Sequence, residues 1–162
     1  MCDETHIDIG YKPFHSHEST FGFSPYFMKE YKNRWFVIGK KDDIDDISTI
    51  ALDRITAMRP TPKVKFDRSR YVTPDDLYAD CIGVTANIGS PVETVTFDVS
   101  PSEAGYLETK PLHRSQQTCG ENADGTIRFS LRVRINNELI RELRTFGRNL
   151  RVVPPASLIP LI

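Results

Sequence analysis

The stretch Asn33–Met58, "NRWFVIGKKDDIDDISTIALDRITAM", sets two apolar, β-prone runs on either side of a loop holding four aspartates, with an Asp53-Arg54 pair inside the second run. An enzyme loop, a calcium loop and an ordinary hairpin share this outline. The calcium reading fails on ligand spacing: Ile47 falls where a third oxygen ligand belongs, and neither the glycine nor the distal glutamate of an EF-hand follows. The aspartates at 42, 43, 45 and 46 therefore read as the solvated turn of a hairpin. After the turn, Ile47, Thr49, Ala51 and Asp53 alternate with Ser48, Ile50, Leu52 and Arg54, a period-2 pattern that is clean only in part.

Toward the N-terminus, "THIDIGYKPF" puts Ile7, Ile9 and Tyr11 on one strand face before Pro13 ends it. "TFGFSPYFMKEYKNRWFVIGKK" reads as two strands joined at Glu30 to Arg34, because aromatic and branched residues crowd both sides of a polar connection. A meander of four or five short strands with no helix up to Met58 suggests a small β-barrel. "RPTPKVKFDRSRYVTPDD" then shifts to proline and charge, and we read residues 61–90 as a linker between domains at 1–60 and 91–162. Within it, Thr73 as cap, Pro74 at the first helical position and Asp75 and Asp76 behind it start a short helix.

From Pro91 the rhythm changes. Val95, Phe97 and Val99 share a strand face, "SPSEAGYLETK" opens a helix at Ser100, and Asp124-Gly125 turns a hairpin. The hairpin's second strand points Ile127, Phe129, Leu131, Val133 and Ile135 one way and Arg128, Ser130, Arg132 and Arg134 the other. A helix capped by Asn136 or Asn137 follows, with Leu139, Ile140, Leu143 and Phe146 as its apolar stripe, Gly147 as its end, and "RNLRVV" as the last strand. The order β-α-β-β-α-β is that of a ferredoxin-like domain, so the chain as a whole is mostly β, of α+β class.

With 162 residues the chain can bury roughly two thirds of its unfolded surface. A formal net charge of -1 gives no overall attraction to nucleic acid or acidic lipid, so any such attraction is local. The apolar runs fall far short of a membrane span and no signal peptide opens the chain, which points to a cytoplasmic protein with no membrane partner. Cys2, Cys81 and Cys119 are odd in number and widely spaced, against a disulfide framework or a zinc knuckle.

No GxSxG, P-loop, HExxH or GxGxxG is present, and the chain reads as non-enzymatic and without a cofactor. His15 and His17, with His6 and Cys2 near in sequence, are polar loop residues before they are metal ligands. Between Thr126 and Arg151 seven arginines face two glutamates, a formal charge of +5. Arg128, Arg132 and Arg134 share one strand face, where guanidinium forks could seat phosphates; the alternative is a solvated face paired with acidic residues. Arg54 is expected against the barrel wall, with Tyr11, Tyr26 and Trp35 offering flat surfaces for a base; the alternative is an ion pair with Asp53 and aromatics in the core.

"PYFMKEYKNRWFVIGKK" followed by "ISTIALDRI" resembles the WYL domain of bacterial transcriptional regulators, with Trp35-Phe36-Val37 at the Trp-Tyr-Leu triplet and Leu52-Asp53-Arg54-Ile55 matching in full. "HRSQQTCGENADGTIRFSLRVRINNELIRELRTFGRNLRVVPPASL" is similar to the C-terminal extension that follows such domains. The resemblance implies an SH3- or Sm-like barrel that senses a ligand, then a ferredoxin-like domain used in homodimer contacts. The implied ligand is a single-stranded nucleic acid or nucleotide, held by Tyr11, Tyr26, Trp35, Phe36 and Arg54, with promoter DNA read only by a helix-turn-helix that this sequence lacks. Phe36 lacks the tyrosine hydroxyl, and Ser48 and Ala51 stand where many members carry arginine, which shifts anion binding toward the C-terminal arginines. The rival function is a structural dimerisation module with no ligand.

Overall fold

The computed structural model describes residues 4–66 and 73–162. The chain divides into two compact units, Met1–Asp76 and Leu77–Ile162. Cys2, and residues 67–72 of the proline- and charge-rich stretch, lie outside the described residues.

The first unit is antiparallel throughout: β1 (Ile7–Tyr11), β2 (Ser19–Tyr31), β3 (Arg34–Lys41), β4 (Ile47–Ala51) and β5 (Ile55–Pro60). Their order is β4-β3-β2-β1-β5, so the last strand returns to lie beside the first. The ladder stays open between β4 and β5, whose ends are joined by a 3-10 turn at Leu52–Arg54. The expected barrel thus takes the form of a five-stranded sheet with unpaired edges among the described residues. Lys32 and Asn33 both adopt positive φ (50° and 60°) at the tip of β2–β3, the left-handed pair that a two-residue hairpin needs. A bulge between Pro25 and Phe27 breaks the β2–β3 register where proline has no N–H to give.

Register decides which side chains meet. Ile7 and Ile9 pair with Phe23 and Phe21, Phe23 with Lys41, and Val37 with Ile50. Ile9, Phe23, Val37 and Ile50 accordingly form one buried cluster. The aspartate loop is exposed, as its sequence suggests, and is anchored at its start: buried His6 donates from Nε2 to Asp42 Oδ1 at 2.9 Å, while its Nδ1 lies 2.6 Å from the Thr61 hydroxyl. Asp45 pairs with Lys40 at 3.0 Å, and Asp46 Oδ1 accepts from the Ile47 amide at the start of β4.

Helix α1 (Pro74–Tyr78) is capped as its sequence implies, with Thr73 Oγ1 accepting from the Asp76 amide at 3.2 Å. Then come β6 (Val92–Val99), α2 (Pro101–Thr109), β7 (Gln117–Glu121), β8 (Ile127–Arg134), α3 (Asn137–Arg144) and β9 (Leu150–Val152). Sheet order β7-β8-β6-β9 is the ferredoxin-like arrangement. Val95, Phe97 and Val99 of β6 and Phe129, Leu131 and Val133 of β8 pack under Ala104 and Leu107 of α2 and Leu139 and Leu143 of α3. Alternation leaves Thr94, Thr96, Asp98, Arg128, Ser130, Arg132 and Arg134 on the opposite face.

Residues 77–90 are packed rather than extended. Ile82 joins the second core, the Tyr78 hydroxyl donates to Val84 O at 3.1 Å, and Asn136 Nδ2 donates to the Ile82 and Thr85 carbonyls, each at 2.8 Å. Glu138 Oε1 accepts from the Thr85 hydroxyl at 2.8 Å. The start of α3 thus holds this segment in the second unit.

Candidate anion-binding site

Arg54 does not sit inside a β run. It closes the 3-10 turn that follows β4, where its carbonyl accepts from the Lys12 amide at 3.0 Å and ties the turn to the end of β1. Two residues beyond Lys12, Phe14 is 65% exposed, and the Arg54 guanidinium carbon lies 3.9 Å from its ring centroid. That is well within cation–π range. Arg54 Nε is shut off from solvent with no hydrogen-bond partner among the described residues. A guanidinium N–H left in that state has the most to gain from an incoming oxygen.

A second cation shares the ring. Arg34, the first residue of β3, places its guanidinium carbon 5.8 Å from the Phe14 centroid and its Nε 3.3 Å from Asp53 Oδ2. Asp53 therefore pairs across to β3 and not with its neighbour Arg54, because the 3-10 turn sends successive side chains in different directions. One exposed ring, two arginines and one carboxylate make a compact group with a net positive charge.

The other expected residues are not all brought to this point. Trp35 and Phe36 are adjacent on β3 and project from opposite sheet faces: Trp35 pairs with Glu30, Phe36 with Lys29 and Ala51. Trp35 is 52% exposed, on the face that carries Val37 and Tyr11. Tyr11 packs edge-on to Phe21 at 6.2 Å between centroids and belongs to the margin of the core. Tyr26, at the β2 bulge, meets Phe66 edge-on at 6.0 Å. Phe14 and Arg34 are the residues a reading of the sequence misses; the Lys12-Pro13-Phe14 step after β1 is their one local signal, since proline fixes the direction in which the chain leaves the strand.

Among the C-terminal arginines, the ion-pair alternative holds for three: Arg128 and Arg151 share Asp98, and Arg134 Nη2 lies 3.9 Å from Asp80 Oδ2. Asp98 is buried on the helix-free face of the second sheet, where its carboxylate accepts from Arg128 Nε at 2.7 Å and Nη2 at 3.0 Å, and from Arg151 Nη2 at 2.9 Å. The hydrogen bonds from Arg128 hold its carboxyl well below the usual carboxylate range, against the opposing pull of burial, and the same contact raises Arg128. Arg134 donates to Ile88 O at 2.8 Å. Arg132 is exposed, on the same face. No three potential metal-ligating side chains cluster among the described residues, and no helix there is long and apolar enough to cross a membrane.

The WYL domain model matches residues 1–60 and the WCX domain model, the C-terminal extension of WYL domains, matches residues 91–162. The chain carries a WYL domain followed by a WCX domain. Among solved structures, this WYL chain is similar to proteasome accessory factor B/C (PafBC) of Arthrobacter aurescens, at 18% identity and a TM-score of 0.43 over 98% of this chain and 24% of that one. It is also similar to a CRISPR Cas-related protein, at 9% identity and a TM-score of 0.55 over 97% of this chain and 44% of that one, a likeness of fold. The WYL chain therefore spans less than half the length of either neighbour. No curated protein matches it.

Proposed function

We propose that this WYL chain is the ligand-sensing region of a transcriptional regulator, and that its first unit binds a single-stranded nucleic acid or nucleotide at Phe14, Arg34 and Arg54. The orphaned Nε of Arg54, stacked on an exposed ring beside a second arginine, supports this reading most directly. A phosphate oxygen would pair with the part of the half-buried Arg54 side chain that remains open to solvent while a base lies against the aromatic surface, the combination by which proteins hold single strands. Trp35, exposed on β3, is a further stacking surface. Residues 1–60 act as the sensor and 91–162 as a homodimerisation domain, with promoter DNA read by a separate helix-turn-helix.

The test is fluorescence anisotropy of a labelled single strand of about ten nucleotides, titrated with the wild type, Arg54→Ala and Arg132→Ala at low and moderate salt. Binding that Arg54→Ala abolishes and Arg132→Ala only weakens supports the site. Loss in Arg132→Ala alone moves the site to the second sheet. One observation favours a structural module without ligand: Asp53 and Asp98 already engage Arg34, Arg128 and Arg151. On that reading no strand binds at low salt.

A further inference from the structure

Asp53 is an unusual neighbour for a site that takes an anion. Its carboxylate lies 3.3 Å from Arg34 Nε, and Arg34 is one of two guanidiniums over the Phe14 ring. Both partners are about half exposed, 41% for Arg34 and 46% for Asp53. An ion pair so open to water contributes little to stability and exchanges readily. Among the described residues Arg54 pairs with no carboxylate, so the two arginines of one ring start from different states, one held by a counter-ion and one not.

We propose that Asp53 is an internal competitor for the ligand's anionic group, which must displace the carboxylate from Arg34 before both arginines engage. This rests on the anion-binding reading and extends it from where a ligand sits to how its binding is set. A single anion binds Arg54 first, because among the described residues no carboxylate is paired with its guanidinium as Asp53 is with that of Arg34. Full engagement of Arg34 requires a ligand with a second negative group within reach of the same ring, such as the next phosphate of a strand or the second phosphate of a diphosphate, and this discriminates against monoanions. The carboxylate is the discriminating element because it sets the threshold that the second anion must exceed.

Removing the charge of Asp53 while keeping its shape tests this. Asp53→Asn is expected to bind the labelled ten-nucleotide strand roughly two- to fivefold more tightly at low salt. Its slope of log affinity on log salt should steepen by about 0.7, one further phosphate contact on a single strand. Two controls separate displacement from a general change in net charge. Asp43→Asn makes the same charge change at an exposed position of the β3–β4 turn and should give neither effect. In an Arg34→Ala background the gain from Asp53→Asn should vanish, as coupled residues require. Equal gains in Asp43→Asn and Asp53→Asn, or a gain that persists without Arg34, would overturn the competitor role. If the wild type binds, Arg54→Ala does not, and Asp53→Asn is no tighter, the site stands and the competitor falls. If no variant binds at low salt, the anion-binding reading fails and this inference fails with it.

Discussion

Asn136 carries three hydrogen bonds with one side chain and is 4% exposed. Its Oδ1 accepts from the Leu139 amide at 2.9 Å and caps α3, while its Nδ2 donates to the carbonyls of Ile82 and Thr85. Asn136→Ala removes a cap of about 1 kcal/mol and a donor from two carbonyls at about 1 kcal/mol each, so we expect a loss of about 3 kcal/mol. Against a typical stability of about 5–15 kcal/mol that is severe. Asn136→Asp separates the two contributions. Aspartate caps as well as asparagine and suits the helix dipole, so a purely capping residue would tolerate it. A carboxylate oxygen facing two carbonyl oxygens at the 2.8 Å positions would instead repel, and we expect a loss of at least about 2 kcal/mol. The sole tryptophan, Trp35, lies in the first unit, so its fluorescence is blind to this change. Urea-dependent amide exchange at Phe97 and Phe129, in the centre of the second core, reads it directly. Asn136→Asp within about 0.5 kcal/mol of the wild type would refute the claim that residues 77–90 are held by this side chain.

Phe14→Ala should weaken strand binding by about 1–3 kcal/mol in the anisotropy titration while leaving the urea midpoint of the first unit unchanged, since the ring is mostly exposed. Asp98 has its folded pKa depressed by Arg128, so its contribution is complete above the unfolded carboxylate value near 4 and is lost as pH falls toward the lower folded value. The second unit should therefore weaken below about pH 4, and Asp98→Asn should flatten that dependence in acid titrations followed by circular dichroism. His113 is held below its ordinary 6.5 by burial, with Nε2 3.1 Å from Ala79 O; its contribution is present above 6.5 and declines as pH falls through the lowered value, so His113→Gln should remove a stability loss between neutral pH and the mid-acid range. Gly39→Ala would drive a Cβ into the Ser24 carbonyl oxygen and to 2.7 Å from the Phe23 ring, a clash worth about 1–3 kcal/mol that Trp35 fluorescence should register.

Most of the fold is written in local pattern. The β6 and β8 faces are read from period-2 alternation because one face of each strand meets the helices, and the ferredoxin-like order follows from the sequence of elements. The same rule works less well in the first unit. Leu52-Asp53-Arg54 looks like strand because apolar residues flank it, yet it turns as a 3-10 helix, and three residues are too few for any periodicity to show. Residues 77–90 mislead for a different reason. They follow a proline- and charge-rich stretch and show no clear period of their own, yet such a segment can still be fixed by side chains such as Asn136 and Glu138 that lie about fifty positions away in sequence.

Of the residues singled out from the sequence, the proposed site keeps Arg54 at its centre, and the reason bears on how arginines are read in any sequence. Charge counted along the chain weights the region Thr126–Arg151 most heavily, but a guanidinium is available to a ligand only if no carboxylate already satisfies it. Asp98 sits opposite Arg128 on β8 and opposite Arg151 on β9, so its ion pairs with both are invisible until β6 is paired with each of these strands. Arg54 shows the converse. Its neighbour in sequence is an aspartate, which suggests a satisfied pair, but that aspartate turns to Arg34 and leaves Arg54 Nε without an acceptor. Opposite charges that the sequence places side by side are separated by the fold at the 3-10 turn after β4, which is why the proposed anion site is put there and not on the arginines around Asp98.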